Sequence, residues 1–382
     1  MSKPIYFDYA ATTPVDPRVV DVMSGCLAID GVFANPASRS HIYGWQAEEQ
    51  VELARSHVAE LLVCDPREVV WTSGATEADN LALKGIFEKK NFKGHLITSA
   101  IEHKAILDTA VWLESRGVEV TYLTPDSEGL ISLEQVKQSV TAGTHLVSLM
   151  YVNNETGVIN PIEEIGRFCR ENEITFHVDA AQAVGRLNMN VDSLQVDLMS
   201  LSAHKFYGPK GVGALYARRP VQRTIAPQMH GGGHERGLRS GTLPTHQLVG
   251  MGEAAKIVSS EFAEEAKRLD LLRDKLWAGI KDLSGIERNG SDSKVSPSHL
   301  NISFGNVDGE SLLLSLREIA VSTGSACTSA SMAPSYVLKA MGVSDEKALS
   351  SIRISLGRFT TEEEIDRAII HIRQTVTQLQ AA

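Results

Sequence analysis

The chain has 382 residues, 43% hydrophobic and 22% charged, a balance that suits a soluble globular protein with room for two domains. A formal net charge of −10 gives no basic footprint for nucleic acid or for an anionic membrane surface, since phosphate attracts clustered Lys and Arg. No apolar run reaches the ~18 residues of a membrane span, and the start MSKPIYFDYAATTP lacks the apolar core of a secretory signal, so a cytoplasmic protein is expected.

Residues 4–17 alternate apolar and turn-forming positions around Asp8, Pro14 and Pro17 and read as an extended arm. The loop at Asn35, Pro36 and Ala37 precedes a predicted helix over 44–62, whose Val51, Ala54, Val58 and Leu61 recur at helical spacing and need a partner surface. A strand is predicted at 69–72, then the turn Ser73-Gly74-Ala75-Thr76, then a helix from Glu77. Such a strand, turn and helix start form an anion cradle, because free N–H groups and the helix dipole favour a phosphate; the same residues also fit a plain helix cap. Strands at 95–99, 119–123 and 145–151 alternate with helical stretches, which argues for an α/β fold with a mainly parallel sheet covered on both faces. His103 follows one of these strands and NNETG, with Asn154, follows another. A structural histidine and an ordinary Asn/Gly turn are the plainer alternatives.

The most informative stretch is 176–213. One short β-branched and aromatic run, 174–178, ends at Asp179; a second, 197–202, leads into Ser202-Ala203-His204-Lys205. In open α/β sheets, ligands bind outside the carboxyl ends of the strands, so an acid and an amine at two such ends can converge on one ligand. Pyridoxal phosphate suits that pair: it needs a lysine amine for its aldehyde and a carboxylate to keep its ring nitrogen protonated. Taken alone, Asp179 as a helix cap and Lys205 as a solvated lysine fit equally ordinary roles. Lys210, in GPKG, is a rival amine.

Beyond it, HGGGHERGLRSGT at 230–242 is too irregular for a regular element, and a charged helical pattern over 247–283 leads into a second unit with no Gly/Ser linker. Strands at 299–304, 319–322 and 351–355 and a last helix from Thr361, with Glu364 completing a capping box, frame a smaller α+β unit. Arg353 alternates with Ile352 and Ile354 on a strand, where an outward-facing arginine is the plainer reading. The four cysteines are scattered with no CxxC pair, against a zinc site or a disulfide framework. Cys327, in STGSACTSASMAPS, lies among small polar residues, which favours an exposed loop, whereas Cys26, Cys64 and Cys169 lie in or beside apolar helical stretches and read as structural.

HVDAAQ and SLSAHKFYGPKGVGALY resemble the cofactor-binding core of the cysteine desulfurases, fold-type I pyridoxal-phosphate enzymes of the class V aminotransferase family. GATEADN, NNETG, HGGGHERGLRSGT and TGSACTSAS extend the resemblance over nearly the whole chain, and the wording around Cys327 is closest to the iron-sulfur-assembly and nitrogen-fixation type. The resemblance implies a large domain (16–259) with a mainly parallel seven-stranded sheet, and a small domain (1–15 with 260–382) that carries Cys327. It assigns the covalent amine to Lys205, the ring-nitrogen carboxylate to Asp179, and the stacking, proton-moving imidazole to His103. Gln182 and Asn154 would contact the ring oxygen, and Ala75, Thr76, Ser202 and His204 the phosphate. Thr242 would reach the phosphate of the other subunit's cofactor, which implies a homodimer with shared sites. Arg353, with Asn154, would bind the substrate, and Cys327 would be the nucleophile that turns L-cysteine into L-alanine and keeps the sulfur as a persulfide. A scaffold protein for iron-sulfur clusters is the implied acceptor, although the chain stops at Ala382, where longer members carry a tail that contacts the scaffold. Selenocysteine lyase, another fold-type I enzyme, a simple thiol hydrolase using Cys327 and a histidine, or a non-catalytic assembly platform are the alternatives.

Overall fold

The computed structural model describes residues 3–323 and 333–381. Its first eight strands in chain order are β1 (Ile5–Tyr6), β2 (Val69–Thr72), β3 (His95–Ser99), β4 (Glu119–Leu123), β5 (Thr144–Met150), β6 (Thr175–Asp179), β7 (Leu198–Ser202) and β8 (Gly213–Ala217). The last seven of these form one sheet in the order β2-β8-β7-β6-β5-β3-β4. Its centre, from β7 through β4, is parallel, and β8 alone runs against both its neighbours. This is the mainly parallel seven-stranded sheet expected. Strands β6 to β8 are buried almost throughout, as a sheet covered by helices on both faces requires.

That sheet sets up the site by register. Met150 pairs with Asp179 and Asp179 with Ser200, so β5 and β6 finish level, β7 runs two residues further to Ser202, and all three hand their following residues to one edge. The helix Ala75–Lys89 starts right after β2, and the helix Lys104–Ser115 starts at His103 just beyond β3. Gly74 between β2 and its helix has φ +154°, and a side chain on Gly213 would put its Cβ 2.6 Å from the Gly74 Cα, so the turn can sit on β8 only if both positions are glycine.

The second unit contains β9 (Ile286–Asn289), β10 (His299–Phe304), β11 (Ile319–Ala320) and β12 (Ser351–Ser355). β10 is flanked antiparallel by β9 and β12, and β11 pairs parallel with β1, which ties the N-terminal arm into this unit. Ile5, Phe7, Leu272, Leu300, Ile352 and Ile365 share its core. One helix, Thr245–Ile280, reaches both cores: Leu248 to Val258 pack against the large sheet and Leu269 to Ile280 against the small one. At 36 residues it spans about 54 Å at 1.5 Å per residue. The capping box expected at Thr361 and Glu364 is present, and Ile365, Ala368, Ile372 and Val376 form the buried stripe of the last helix.

Three details differ from the sequence expectations. A helix, Pro17–Ser24, follows the arm, capped by Asp16 with Pro17 in its first turn; the Asp-Pro pair is the local signal for it. β9 has no signal in the sequence, because IERN is too short and polar to show a period. The predicted 319–322 strand pairs only at Ile319 and Ala320, after which Ser322 makes an isolated bridge to Arg353.

Candidate active site

A cleft of about 660 Å³ opens along the carboxyl edge of the large sheet, where β12 meets it. Ten of the predicted positions line it: Ala75 and Thr76 at one helix start, His103 at another, and Asn154, Asp179, Gln182, Ser202, His204, Lys205 and Arg353 around them. Lys210, the rival amine, also lines it. Thr242 is exposed and lies outside this lining. Cys327 lies outside the described residues. The other three thiols are poor nucleophiles: burial pushes Cys64 and Cys169 up to about 12 and raises Cys26 as well.

Asp179 ends β6 with its side chain almost wholly buried, and its Oδ1 accepts from the Ala181 amide at 2.9 Å. Burial pushes its carboxyl up; that amide, His103 and Lys205 oppose the shift without cancelling it. A carboxylate so placed gains from any partner that brings a positive charge. His103 accepts the Ala105 amide on Nδ1 at 3.1 Å, which makes Nε2 the protonated nitrogen of the neutral ring. Burial lowers its pKa, Lys205 lowers it further, and Asp179 pulls the other way. His204, hydrogen-bonded through Nδ1 to Thr12 Oγ1 at 3.1 Å, is pushed down to about 4 by burial, with Lys205 and Lys210 adding to the effect.

The residues fit pyridoxal phosphate on observations independent of the motifs. Oδ1 of Asn154 and Oε1 of Gln182, both on cleft-lining residues, are buried with no described hydrogen-bond partner. An unpaired buried acceptor costs about 1–3 kcal/mol, and the single proton of a ring hydroxyl would relieve one of the two. The helix at Ala75 has no side-chain cap, so its first-turn amides stand ready for an anion. The Lys205 Nζ donates to the carbonyls of Ala10 at 2.7 Å and Ala11 at 2.9 Å.

Several residues at the site carried no distinctive sequence signal. Asp8 lines the cleft and pairs with Arg353, although the resemblance places the arm that carries it in the small unit. Glu77 holds the Ser73 amide at 2.7 Å and Arg239 at 2.8 Å, tying the cradle to the glycine-rich segment. Two residues before Asp179, and so on the same face of β6, His177 is buried between Ser148 Oγ (2.8 Å) and Ser200 Oγ (3.0 Å) and pushed down to about 3. Asp79 lies 3.6 Å from it, fully buried, its carboxyl raised by burial and by Asp179.

The chain matches the aminotransferase class-V family over residues 5–368. It is 59% identical over 380 residues to a protein named cysteine desulfurase IscS from Proteus mirabilis (strain HI4320), covering 99% of this chain and 94% of that one. It is 58% identical, with the same coverage, to one of the same name from Shewanella sediminis (strain HAW-EB3). Among solved structures, a NifS-like protein superposes with a TM-score of 0.91 at 40% identity, over 98% of this chain and 100% of the other. One described as SspA in complex with cysteine does so at 0.84 and 42%, over 94% and 100%.

Proposed function

The chain belongs to the class-V aminotransferase family and, within it, stands among the cysteine desulfurases; from that premise we propose that it converts L-cysteine to L-alanine with pyridoxal phosphate and leaves the sulfur as a persulfide on Cys327. The observation that carries the reading is the meeting of a buried acid, an amine, a neutral imidazole and a guanidinium in one cleft, beside two buried acceptors with no donor among the described residues. When bound, the cofactor supplies an aldehyde for an amine and a ring that takes up the electrons left when a substrate proton departs. Lys205 is the amine that would hold it and, once released, the base for the substrate's α-proton. Asp179 would keep the proton on the ring nitrogen, and His103 would lie against the ring with Nε2–H available for proton transfer. Gln182 and Asn154 would meet the ring hydroxyl, and Ala75, Thr76, Ser202 and His204 the phosphate.

Arg353 would take the substrate carboxylate: its planar guanidinium has little solvent contact, and a fork of N–H groups suits a carboxylate. The Cys327 thiolate attacks the substrate sulfur, the carbon–sulfur bond breaks, its electron pair returns to the carbon skeleton, and protonation there gives alanine. Iron-sulfur scaffold proteins and other sulfur carriers are the acceptors we propose, in the cytoplasm; among the described residues no helix is long and apolar enough to cross a membrane. We further propose a homodimer in which Thr242 reaches the partner's cofactor, a reading supported by its place outside its own cleft and by the exposed Ile29, Phe33, Ile42, Tyr43 and Trp45. The large domain is assigned 16–259 and the small one 1–15 with 260–382.

The test is borohydride reduction of the purified yellow protein followed by peptide mass spectrometry. The cofactor mass is expected on the Lys205 peptide, and Lys205→Ala should abolish it while the protein stays folded. Label on Lys210 instead would overturn the assignment.

A further inference from the structure

The N-terminal arm does more than brace the small unit. Tyr6 donates to the Asp8 carbonyl at 3.0 Å, Asp8 bridges Ser355 at the end of β12, and the Ala10 amide donates to Ser355 Oγ at 2.8 Å, so the arm is fixed beside Arg353. From that position Asp8 Oδ1 accepts from Arg353 Nη2 at 2.7 Å. Nη1 of the same guanidinium donates to the Asn154 carbonyl at 2.9 Å. Its Nε is buried and no described atom accepts from it. The two terminal nitrogens are thus engaged and the third is closed to solvent. A carboxylate that needs two adjacent N–H groups therefore meets a guanidinium whose accessible partner is already a carboxylate, and Asp8, with about a fifth of its side chain exposed, is the ligand able to leave.

We propose that Asp8 is an internal carboxylate that occupies Arg353 until the carboxylate of an amino-acid substrate displaces it, so that it sets the affinity of the site and favours ligands that bring their own negative charge. The inference rests on the reading of Arg353 as the carboxylate site. Its energetic logic is exchange: Arg353 keeps one anionic partner before and after, so its buried charge is never left unpaired. A ligand that must displace an internal one present nine-tenths of the time binds about tenfold more weakly than to the vacated site.

The experiment is calorimetric titration of the holoenzyme with L-alanine and with L-alaninamide, alongside melting curves with and without each. Asp8→Asn keeps the shape and removes the charge; it should bind L-alanine about tenfold more tightly than the wild type, with little change for L-alaninamide, and its melting temperature should rise more on adding L-alanine. Asp8→Ser serves as a second removal of the charge, and Asp8→Glu, which keeps it, should show no tightening. Weaker L-alanine binding in both charge-removed variants would make Asp8 an orienting partner and overturn the proposal, as would equal tightening for the amide. Arg353→Gln separates the two readings: if it leaves L-alanine affinity unchanged, the carboxylate assignment itself fails; if it weakens L-alanine while Asp8→Asn does not tighten it, only the displacement fails.

Discussion

Glu235 offers a quantitative test of how the glycine-rich segment that carries Thr242 is held. Its two carboxylate oxygens accept from Arg55 Nη1 at 2.7 Å and Nη2 at 2.9 Å, and Oε2 also accepts the Trp71 amide at 2.8 Å. Both side chains are almost fully buried, at 3% and 2% exposure. Glu235 and Arg236 also hold left-handed backbone, at φ 50° and 56°, which costs about 1 kcal/mol or more each and persists only where the surroundings impose it. Glu235→Ala would strand a buried guanidinium and a buried amide together. Breaking such a pair costs about 3–5 kcal/mol, and because Glu52 remains 3.0 Å from Arg55 at the surface, the lower end, about 3 kcal/mol, is expected. Replacing both partners by apolar groups, Arg55→Met with Glu235→Leu, should recover most of this and leave about 1 kcal/mol for the orphaned Trp71 amide. Urea unfolding followed by tryptophan fluorescence, at fixed protein concentration, reads both. A single variant within 1 kcal/mol of wild type, or a double variant worse than the single, would refute the reasoning.

With Cys327→Ala, substrate should still bind while alanine production falls by orders of magnitude, and in the wild type, alkylation after cysteine treatment should place the extra sulfur on the Cys327 peptide; a wild-type rate, or sulfur on Cys26, Cys64 or Cys169, refutes the sulfur route. Asp179→Asn should loosen cofactor retention and slow turnover by roughly a hundredfold or more, as loss of a proton-holding group does, and unchanged absorbance and turnover would remove it from that role. Glu102 is fully buried, accepts from Ser99 Oγ at 2.6 Å, and is pushed up to about 8 by burial. Between pH 4.5 and 8 the folded protein holds a proton that the unfolded chain has lost, so this group's contribution to stability falls as pH rises and levels off above 8. Glu102→Gln should therefore gain on the wild type from pH 5 to pH 9, by on the order of 4 kcal/mol, in urea midpoints at the two pH values; a pH-independent difference would show that the group is not protonated in the fold.

The parts of the fold legible in the sequence are those encoded over a few residues. β2, β3, β4, β10 and β12 are runs of apolar and β-branched residues with turn formers at their ends, and their bounds were readable as they stand. The last helix announces itself by Thr361 and Glu364, whose reciprocal hydrogen bonds are a local device. Segments whose pairing is decided by distant chain were not legible. IERN becomes β9 because β10 offers it an edge, and the 319–322 run stops pairing after two residues because Ser322 turns to Arg353 instead.

The site divides along the same physical line. Asp179, Lys205 and His103 could be found because each stands at or just past a strand end, and a parallel sheet sends such ends to one edge whatever the remaining sequence does. Asp8 and His177 follow no such rule. Asp8 reaches the site only because β1 pairs with β11 across more than three hundred residues and the arm then bridges β12; in the sequence it is one more acid near a proline. His177 differs from a surface histidine only by the hydroxyls that neighbouring strands bring to it, Ser148 from β5 and Ser200 from β7. Both are products of register, and a one-residue slip of β6 would turn His177 and Asp179 together to the opposite face of the sheet. The buried polar residues behind the cleft therefore make the register of β6 a condition for the chemistry: a slipped strand would lose Asp179 from the cleft and leave His177 without its hydroxyls.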